Sequence, residues 1–289
     1  MHFHVISLFP EMIETAAKAG VIGQAITKGK LGLTSVSPRQ FTTDVHHTVD
    51  DRPFGGGDGM IMLAETLTQA LEHVKQAIPQ ETSSKTIHVS PRGTPFTDAK
   101  ARELATYDHL VLISSRYGGA DQRFLNSHVD EEISLGDFIL TGGELAVLVM
   151  IDAIGRLQAG VLGNDRSSEN ESFAGALGLL ENPQFTRPRD WRGQGVPKNL
   201  MSGDHAKIKE FQESLMLLVS AERRPDLIEK SYDEMTWKQV DAALRTLDRL
   251  EADGEAELCG LRDLSAIREI LSQLLSALPE PKPKRERRK

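Results

Sequence analysis

Three polar turns carry the residue types that could surround a ligand. They are SPRGTPF (90–96), SSRYGGADQR (114–123) and LGDFILTGGEL (135–145), and each follows a short apolar segment. Glycine permits positive φ and lets another group approach the main chain closely. In α/β folds, turns at the ends of successive strands meet in one crevice. We therefore expect these turns to bind one ligand, while a tight turn without a ligand is an equally good interpretation of the third turn taken alone.

Several common kinds of site are absent from the sequence. There is no G-x-G-x-x-G after the first predicted strand and no G-x-x-x-x-G-K-[ST], which disfavours a two-domain oxidoreductase and a nucleoside triphosphatase. His46 and His47 are adjacent and have no obvious third ligand, so a structural or solvent-facing role outweighs metal binding. Cys259 is the only cysteine, which excludes an internal disulfide and a cysteine zinc cluster. These residues therefore predict no metal ligands.

Short apolar strands that alternate with helices must position the three turns. In the third turn, residues 138–140 are expected to form a strand end, and a helix is expected to start at Glu144, where a helix dipole favours acid. The predicted buried strands are FHVISLF (3–9), KTIHVS (85–90) and HLVLISS (109–115), and the predicted helices are residues 63–78 and 98–106. This alternation is typical of an α/β fold with a mostly parallel sheet.

The carboxyl-terminal part has a different pattern. Residues 163–178 are polar and contain glycine, so they are expected to form a linker or mobile loop. Amphipathic helices are predicted over 204–219 and 238–250, which indicates a small helical domain. The last ten residues, EPKPKRERRK, hold six Lys or Arg and two Glu and are expected to be a disordered, solvated tail, with an RNA-binding arm as the second interpretation.

Charge and composition restrict the partners. The chain has 34 Lys or Arg and 42 Asp or Glu, a net charge of −8, so its acidic body would bind phosphate backbones poorly without local basic patches. Candidates for such patches are Arg39, Arg52, Arg187, Arg189 and Arg192. No apolar run is long enough to span a bilayer, and the amino-terminal residues lack the pattern of a secretion signal. We expect a globular protein of the cytoplasm, with no membrane partner.

Seven segments together carry a resemblance to a known family. They are DDRPFGGGDGM (50–60), SPRG (90–93), SRYGGADQR (115–123), SLGDFILTGGELA (134–146), IDAIGRLQAGVLGN (151–164), FTRP (185–188) and SGDHAKI (202–208). In this order they resemble the bacterial tRNA (guanine-N1) methyltransferases of the SPOUT class. The resemblance is distinct up to about residue 208 and weaker through the helical domain.

The resemblance implies a fold that periodicity cannot show. It implies a parallel α/β sheet with a deep trefoil knot in the carboxyl-terminal part of that domain, followed by a small helical domain. It implies S-adenosylmethionine bound in a bent shape in the knot, tRNA as substrate, an obligate homodimer and a role for Mg²⁺. The implied domains are residues 1–162 for methyl transfer, 163–178 as a flexible linker, 179–275 for tRNA binding and 276–289 as the basic tail.

The resemblance also implies which residues act. The implied cofactor residues are Val89, Ser90, Pro91, Gly93, Ser115, Tyr117, Gly119, Leu135, Gly136, Asp137, Phe138, Ile139, Leu140, Gly142 and Gly143. The implied substrate residues are Asp50, Arg52, Phe54, Gly55, Ser167, Arg187, Ser202 and His205. Guanine N1 must lose a proton as it is methylated, and negative charge then spreads to O6. The resemblance makes Glu171 the general base and Arg156 the group that stabilises this charge.

Some positions depart from the family pattern. Glu171 stands where the family has Asp, Gly118 where it has Glu, and Ser115 where it has Gly. Further departures are Gln122, Glu181 and Gln184. The expected activity is methylation of guanine N1 at the guanosine 3′ of the anticodon. The alternatives are a diverged relative that methylates another RNA position and a knotted RNA-binding dimer without activity, which would need neither Glu171 nor Arg156.

Overall fold

The computed structural model describes residues 1–163 and 171–280 of the chain. The chain divides into two compact units, Met1–Asp165 and Arg166–Lys289, which are described separately below. Ser167 lies outside the described residues, and so does most of the predicted tail. In the described residues no helix is both long enough and apolar enough to cross a membrane.

The first unit is built on a five-stranded sheet. Its strands are β1 (His2–Ile6), β2 (Gly32–Val36), β5 (Ser84–Pro95), β6 (His109–Ser114) and β7 (Glu131–Ser134). They lie in the order β2-β1-β6-β5-β7, and every neighbouring pair is parallel. A separate antiparallel pair consists of β3 (Asp50–Asp51) and β4 (Ile61–Met62). The prediction of an α/β fold with a parallel sheet is confirmed.

Helices cover both faces of this sheet, because side chains of successive strand residues point to opposite faces. The helices are α1 (Pro10–Ala17), α2 (Gly20–Thr27), α3 (Ala64–Gln76), α4 (Asp98–Leu104), α5 (Gln122–His128) and α6 (Glu144–Gly155). Helices α1, α2, α4 and α6 share a core with Phe3 and Val5 of β1. Helices α3 and α5 share a second core with Ile6 of the same strand. Strands β1 and β6 therefore have buried apolar side chains on both faces, as expected for strands inside a parallel sheet covered by helices on both sides.

The observed elements correct three predictions around the site. Strand β5 runs on to Pro95, because the chain resumes pairing with β7 after an irregularity between Val89 and Thr94. Strands β2 and β7 were not predicted. Residues 138–140 are not a strand: β7 ends at Ser134 and the following residues form bends, with 80% of Ile139 exposed. The predicted helix start at Glu144 is confirmed.

The second unit is mainly helical. Its helices are α7 (His205–Arg223), α8 (Pro225–Lys230), α9 (Trp237–Ala252) and α10 (Leu264–Ala277), and a short hairpin joins β8 (Asp190–Trp191) to β9 (Gln194–Gly195). Asp204 caps α7, and Thr236 with Gln239 forms a capping box for α9. Both predicted helices are confirmed, each longer than expected. Cys259 lies in the core of this unit, where burial raises the pKa of its thiol to about 11.

Part of the predicted linker belongs to this helical unit. Ala174 is buried, Leu177 packs against the apolar core, and the Ser231 hydroxyl donates a hydrogen bond to the Leu177 carbonyl. Ala174 and Leu177 thus have local contacts within this unit, residues 164–170 lie outside the described part of the chain, and the flexibility of residues 163–178 stays a prediction.

Candidate active site

The three polar segments meet around a cavity of about 300 Å³, beside the irregular part of β5 and at the carboxyl ends of β6 and β7. Its lining residues are His88, Val89, Ser90, Pro91, Arg92, Ser115, Arg116, Tyr117, Gly118, Gly119, Ser134, Leu135, Gly136, Phe138, Ile139, Leu140, Thr141, Gly142, Gly143 and Ala146. The expected convergence of the turns is thus confirmed. Apolar side chains, main-chain groups and a few polar side chains together give the composition typical of a small-molecule site.

All of the predicted cofactor residues except Gly93 and Asp137 line this cavity. Asp137 is exposed. Gly93 packs on the next strand: a Cβ there would lie 2.4 Å from the Glu132 carbonyl carbon and from the Ile133 nitrogen. Gly93 is therefore required by the close approach of β5 and β7.

Several lining residues were not predicted. They are His88, Arg92, Arg116, Gly118, Ser134, Thr141 and Ala146. Arg116, Gly118 and Thr141 lie inside turns that the sequence had already singled out, so their positions could have been included. His88 lies within a strand, where a histidine is usually a core residue. Nothing in the sequence distinguishes His88 from such a core histidine.

An ion pair between a buried glutamate and a partly exposed arginine that lines the cavity lies beside the site. Glu144, in the first turn of α6, is 1% exposed, and its carboxylate lies 3.1 Å from the Nε of Arg116. The Ser7 hydroxyl donates to the same carboxylate at 2.9 Å. A Cβ on Gly142 would lie 2.3 Å from the Arg116 Nε and 2.4 Å from the nearer Glu144 oxygen. Gly142 is thus needed to admit this ion pair.

His88 connects the cavity to β7. Its Nδ1 lies 2.9 Å from a carboxylate oxygen of Glu132, and its Nε2 lies 2.9 Å from the hydroxyl of Ser115. Only 2% of the His88 side chain is exposed. Burial lowers the pKa of His88, and this effect outweighs the opposite influence of Glu132.

The predicted substrate residues of the first unit lie in β3 and in the loop between β3 and β4. Asp50 is in β3, Arg52 and Phe54 follow it, and 99% of Phe54 is exposed. Gly55 has a φ of +89°, a conformation that favours glycine. The end of this loop is hydrogen-bonded to a residue that lines the cavity: the Gly118 amide donates to the Met60 carbonyl at 2.8 Å.

The remaining predicted residues divide between the two units. Arg156 follows the last residue of α6 in the first unit. In the second unit, Glu171 lines a groove together with Glu181 and Lys209. The other predicted substrate residues in that unit, Arg187, Ser202 and His205, are exposed. The pairing of Glu171 with Arg156 thus stays a prediction.

The expected role of Mg²⁺ finds no ligand set in the described residues. Within 1–163 and 171–280, no group of three or more His, Cys, Asp or Glu side chains is arranged to hold a metal ion. We assign no step to Mg²⁺.

A cavity at the carboxyl ends of parallel strands is the usual ligand site of an α/β enzyme, so fold and site together define that class. The profile of the family described as tRNA (Guanine-1)-methyltransferase TrmD matches residues 1–230. The chain belongs to this family.

Curated relatives agree over most of their lengths. A tRNA (guanine-N(1)-)-methyltransferase of Stenotrophomonas maltophilia (strain K279a) is 46% identical over 257 residues, covering 88% of this chain and 100% of the relative. The protein of the same name from Pseudomonas fluorescens (strain SBW25) is 47% identical over 79% of this chain and 90% of its own length. The one from Vibrio vulnificus (strain YJ016) is 47% identical over 78% of this chain and 89% of its own length.

Proposed function

We propose that this protein transfers a methyl group from S-adenosylmethionine to N1 of guanine in tRNA, at the guanosine 3′ of the anticodon. The observation that carries the proposal is the family match over residues 1–230. The relatives named tRNA (guanine-N(1)-)-methyltransferase, which are 46–47% identical, support the same reaction. We propose the cytoplasm as its location.

The residues around the cavity fit S-adenosylmethionine. Pro91, Leu135 and Leu140 offer apolar surface, whereas Ser90, Ser115 and exposed main-chain groups of the glycine turns offer polar contacts. A mixed lining of this kind suits a ligand with a flat base, a ribose and a charged amino-acid end. When bound, this cofactor supplies an already activated methyl group.

The chemistry left to the protein is proton removal and charge stabilisation. We assign proton removal from guanine N1 to the Glu171 carboxylate, since a carboxylate held within hydrogen-bond distance can act as a general base. We assign stabilisation of negative charge at guanine O6 to the Arg156 guanidinium. Arg156 follows the last residue of α6, about 18 Å along the helix from its first turn, so its assignment rests on the family match.

The second unit carries features suited to tRNA. Arg187, Arg189 and Arg192 are exposed, and such side chains bind phosphates. Trp191 is exposed at the β8–β9 hairpin, with the Arg192 guanidinium 5.0 Å from its ring centroid. Exposed aromatic rings stack on unpaired RNA bases. These observations support the helical unit as the tRNA-binding domain.

The chain path supports the proposed knot. After β7 at the sheet edge, the chain returns to β6: Gly142 pairs with Arg116 in an isolated bridge, and the Gly143 amide donates to the Ser115 carbonyl at 3.0 Å. Strand β5 lies between β7 and β6 in the sheet, so this segment must pass the end of β5. A passage of this kind is what a trefoil knot in this part of the domain requires.

The proposed homodimer has a candidate surface in the first unit. Leu145 and Val149 lie one turn apart on α6 and are 52% and 50% exposed. Phe9 and Met12, at the start of α1, are also exposed, and α1 packs against α6. A group of exposed apolar side chains on two packed helices is typical of a subunit interface.

The decisive experiment combines purified protein, labelled S-adenosylmethionine and unmodified tRNA transcripts. We expect label in 1-methylguanosine at the position 3′ of the anticodon, located by nuclease mapping. The matched control transcript carries adenosine at that position and should accept no label. Label in another nucleoside would favour the diverged relative, and cofactor and tRNA binding without any transfer would favour the non-catalytic dimer.

A further inference from the structure

Three side chains form a hydrogen-bonded row that ends at the cavity. Glu132, His88 and Ser115 come from β7, β5 and the residue after β6, which are neighbours in the sheet. The two distances along the row are both 2.9 Å. His88 and Ser115 both line the cavity; His88 is buried, whereas Ser115 is only partly buried. The row therefore presents its Ser115 end to a ligand.

The strand register explains why the row forms. His88 pairs with Glu132 of β7, so their side chains stand side by side on the same face of the parallel sheet. On the other side His88 pairs with Ile113 of β6, and Ser115 lies two residues further on, which returns its side chain to that face. The Ser115 carbonyl also accepts the Gly143 amide, so the backbone at this position is held as well.

The direction of each hydrogen bond follows from the donors available. A carboxylate oxygen can only accept, so the His88 Nδ1 must carry the proton that lies toward Glu132. The lowered pKa of His88 leaves the imidazole neutral near pH 7, and its Nε2 is then an acceptor. The Ser115 hydroxyl must therefore donate to Nε2. The one hydroxyl proton of Ser115 is then used in this bond. Toward the cavity, the Ser115 oxygen can act only as a hydrogen-bond acceptor.

We propose that Ser115 is a specificity residue whose hydroxyl oxygen accepts a hydrogen bond from a donor group of the bound cofactor. His88 and Glu132 are positioning residues, because they act through Ser115 by fixing the direction of its hydroxyl proton. The inference rests on the proposed function, since it concerns S-adenosylmethionine in the same cavity. S-adenosylmethionine has three kinds of N–H or O–H donor: the adenine amino group, the ribose hydroxyls and the amino-acid ammonium.

The first test is calorimetric binding of S-adenosylhomocysteine to the full-length protein and to two variants. Ser115→Ala removes the acceptor and should weaken binding by about 3- to 10-fold, the effect of one lost hydrogen bond. Ser115→Thr keeps a hydroxyl and should restore affinity to within about threefold of the unaltered protein. Thermal unfolding of each variant checks that the first unit still folds.

The second test identifies the donor by removing one donor at a time. The ligands are S-adenosylhomocysteine, its nebularine counterpart with hydrogen in place of the adenine amino group, methylthioadenosine without the ammonium, and the 2′- and 3′-deoxy forms of S-adenosylhomocysteine. The ligand that lacks the donor should bind the unaltered protein and Ser115→Ala equally well, whereas the others keep the loss. A merely structural role for Ser115 would weaken all of them by the same factor.

The possible outcomes separate this inference from the proposed function. If the unaltered protein does not bind S-adenosylhomocysteine, the proposed function fails. If it binds, but Ser115→Ala binds with unchanged affinity or loses the same factor for every ligand, only the inference is overturned. His88→Phe provides a further check: it frees the hydroxyl to rotate, so it should reproduce part of the Ser115→Ala loss and spare the same ligand.

Discussion

At the scale of single residues, the structure requires glycine at residue 142 for a reason that the sequence of the turn does not reveal. The sequence suggests that a ligand approaches the main chain there. In the structure, the space beside its Cα is taken by the Arg116 guanidinium and the Glu144 carboxylate. Since Glu144 is almost fully buried, it depends on Arg116 and Ser7 for its hydrogen bonds. Even the smallest side chain at residue 142 must disturb this pair.

We predict that Gly142→Ala lowers the free energy of unfolding of the first unit by about 1–3 kcal/mol, because it disturbs the hydrogen bonding of the buried Glu144 carboxylate. Urea unfolding followed by hydrogen exchange of the β6 amides measures this change. Gly163→Ala is the matched control: it is a glycine of the same unit whose Cβ would meet no atom of residues 1–163 or 171–280 within 4 Å. Equal stability of the two variants would show that the Arg116–Glu144 pair adjusts without cost.

The second residue-scale prediction concerns the proposed base. Glu171→Gln keeps the size of the side chain but cannot take the N1 proton, so methyl transfer should fall by about 100-fold or more while cofactor binding is retained. Arg156→Ala should slow transfer by a similar order, because it removes stabilisation of charge on O6. Single-turnover rates with saturating tRNA separate the chemical step from binding.

Glu171→Asp is the control for this prediction, since it keeps a carboxylate and has the residue of the family pattern. It should be far more active than Glu171→Gln, although a displaced carboxylate can cost on the order of a hundredfold. A nearly unchanged rate for Glu171→Gln would assign proton removal to another group.

At the scale of elements, a stack of imidazoles joins two strands of the sheet. His2 and His4 of β1 have ring centroids 4.3 Å apart, and the His4 Nε2 lies 3.0 Å from the Nδ1 of His109 in β6. Burial, with a further contribution from His2 and His109, lowers the pKa of His4 from 6.5 to about 4. Burial also lowers the pKa of His2 and, against the influence of Asp108, that of His109.

This stack should make the first unit less stable in acid. Between pH 6.5 and 4 the unfolded chain binds a proton at His4 that the folded chain does not, so stability is lost as the pH falls through this window. We expect His4 to contribute on the order of 1–2 kcal/mol to this loss. Urea unfolding at pH 7 and pH 5 measures it. His4→Gln should reduce the difference between the two pH values, and the exposed control His46→Gln should leave it unchanged.

The elements also show what a sequence can and cannot predict. Strands β1, β5 and β6 were predictable because each contains a short run of buried residues that includes apolar side chains. Strand β7 was not predictable, because it begins with Glu131 and Glu132 and has one buried apolar side chain, Ile133. The turns of the cavity could be found from their glycines. The row through His88 could not, because it depends on strand order and register, which no local pattern encodes.

At the scale of the whole molecule, the proposed dimer accounts for apolar side chains that a single chain leaves in water. Leu145 follows Glu144 in α6, Val149 lies one turn further on, and both side chains are half-exposed. Burial of these side chains by a second copy would gain about 25 cal/mol for each Å² of apolar surface removed from water. An interface here would also place each cavity close to the partner subunit, so loss of the dimer should affect activity as well as assembly.

We therefore predict that the double variant Leu145→Asp and Val149→Asp is monomeric in analytical ultracentrifugation, whereas the unaltered protein sediments as a dimer. Both side chains are half-exposed, so the monomer should keep its helical circular dichroism while methyl transfer to tRNA falls by at least about tenfold, as expected when charges are placed in an apolar interface. The matched control is Val45→Asp, which adds a charge at a side chain that is 91% exposed, and it should remain dimeric and active. A double variant that stays dimeric would place the interface elsewhere, and a monomeric double variant with full activity would show that each cavity works without a partner subunit.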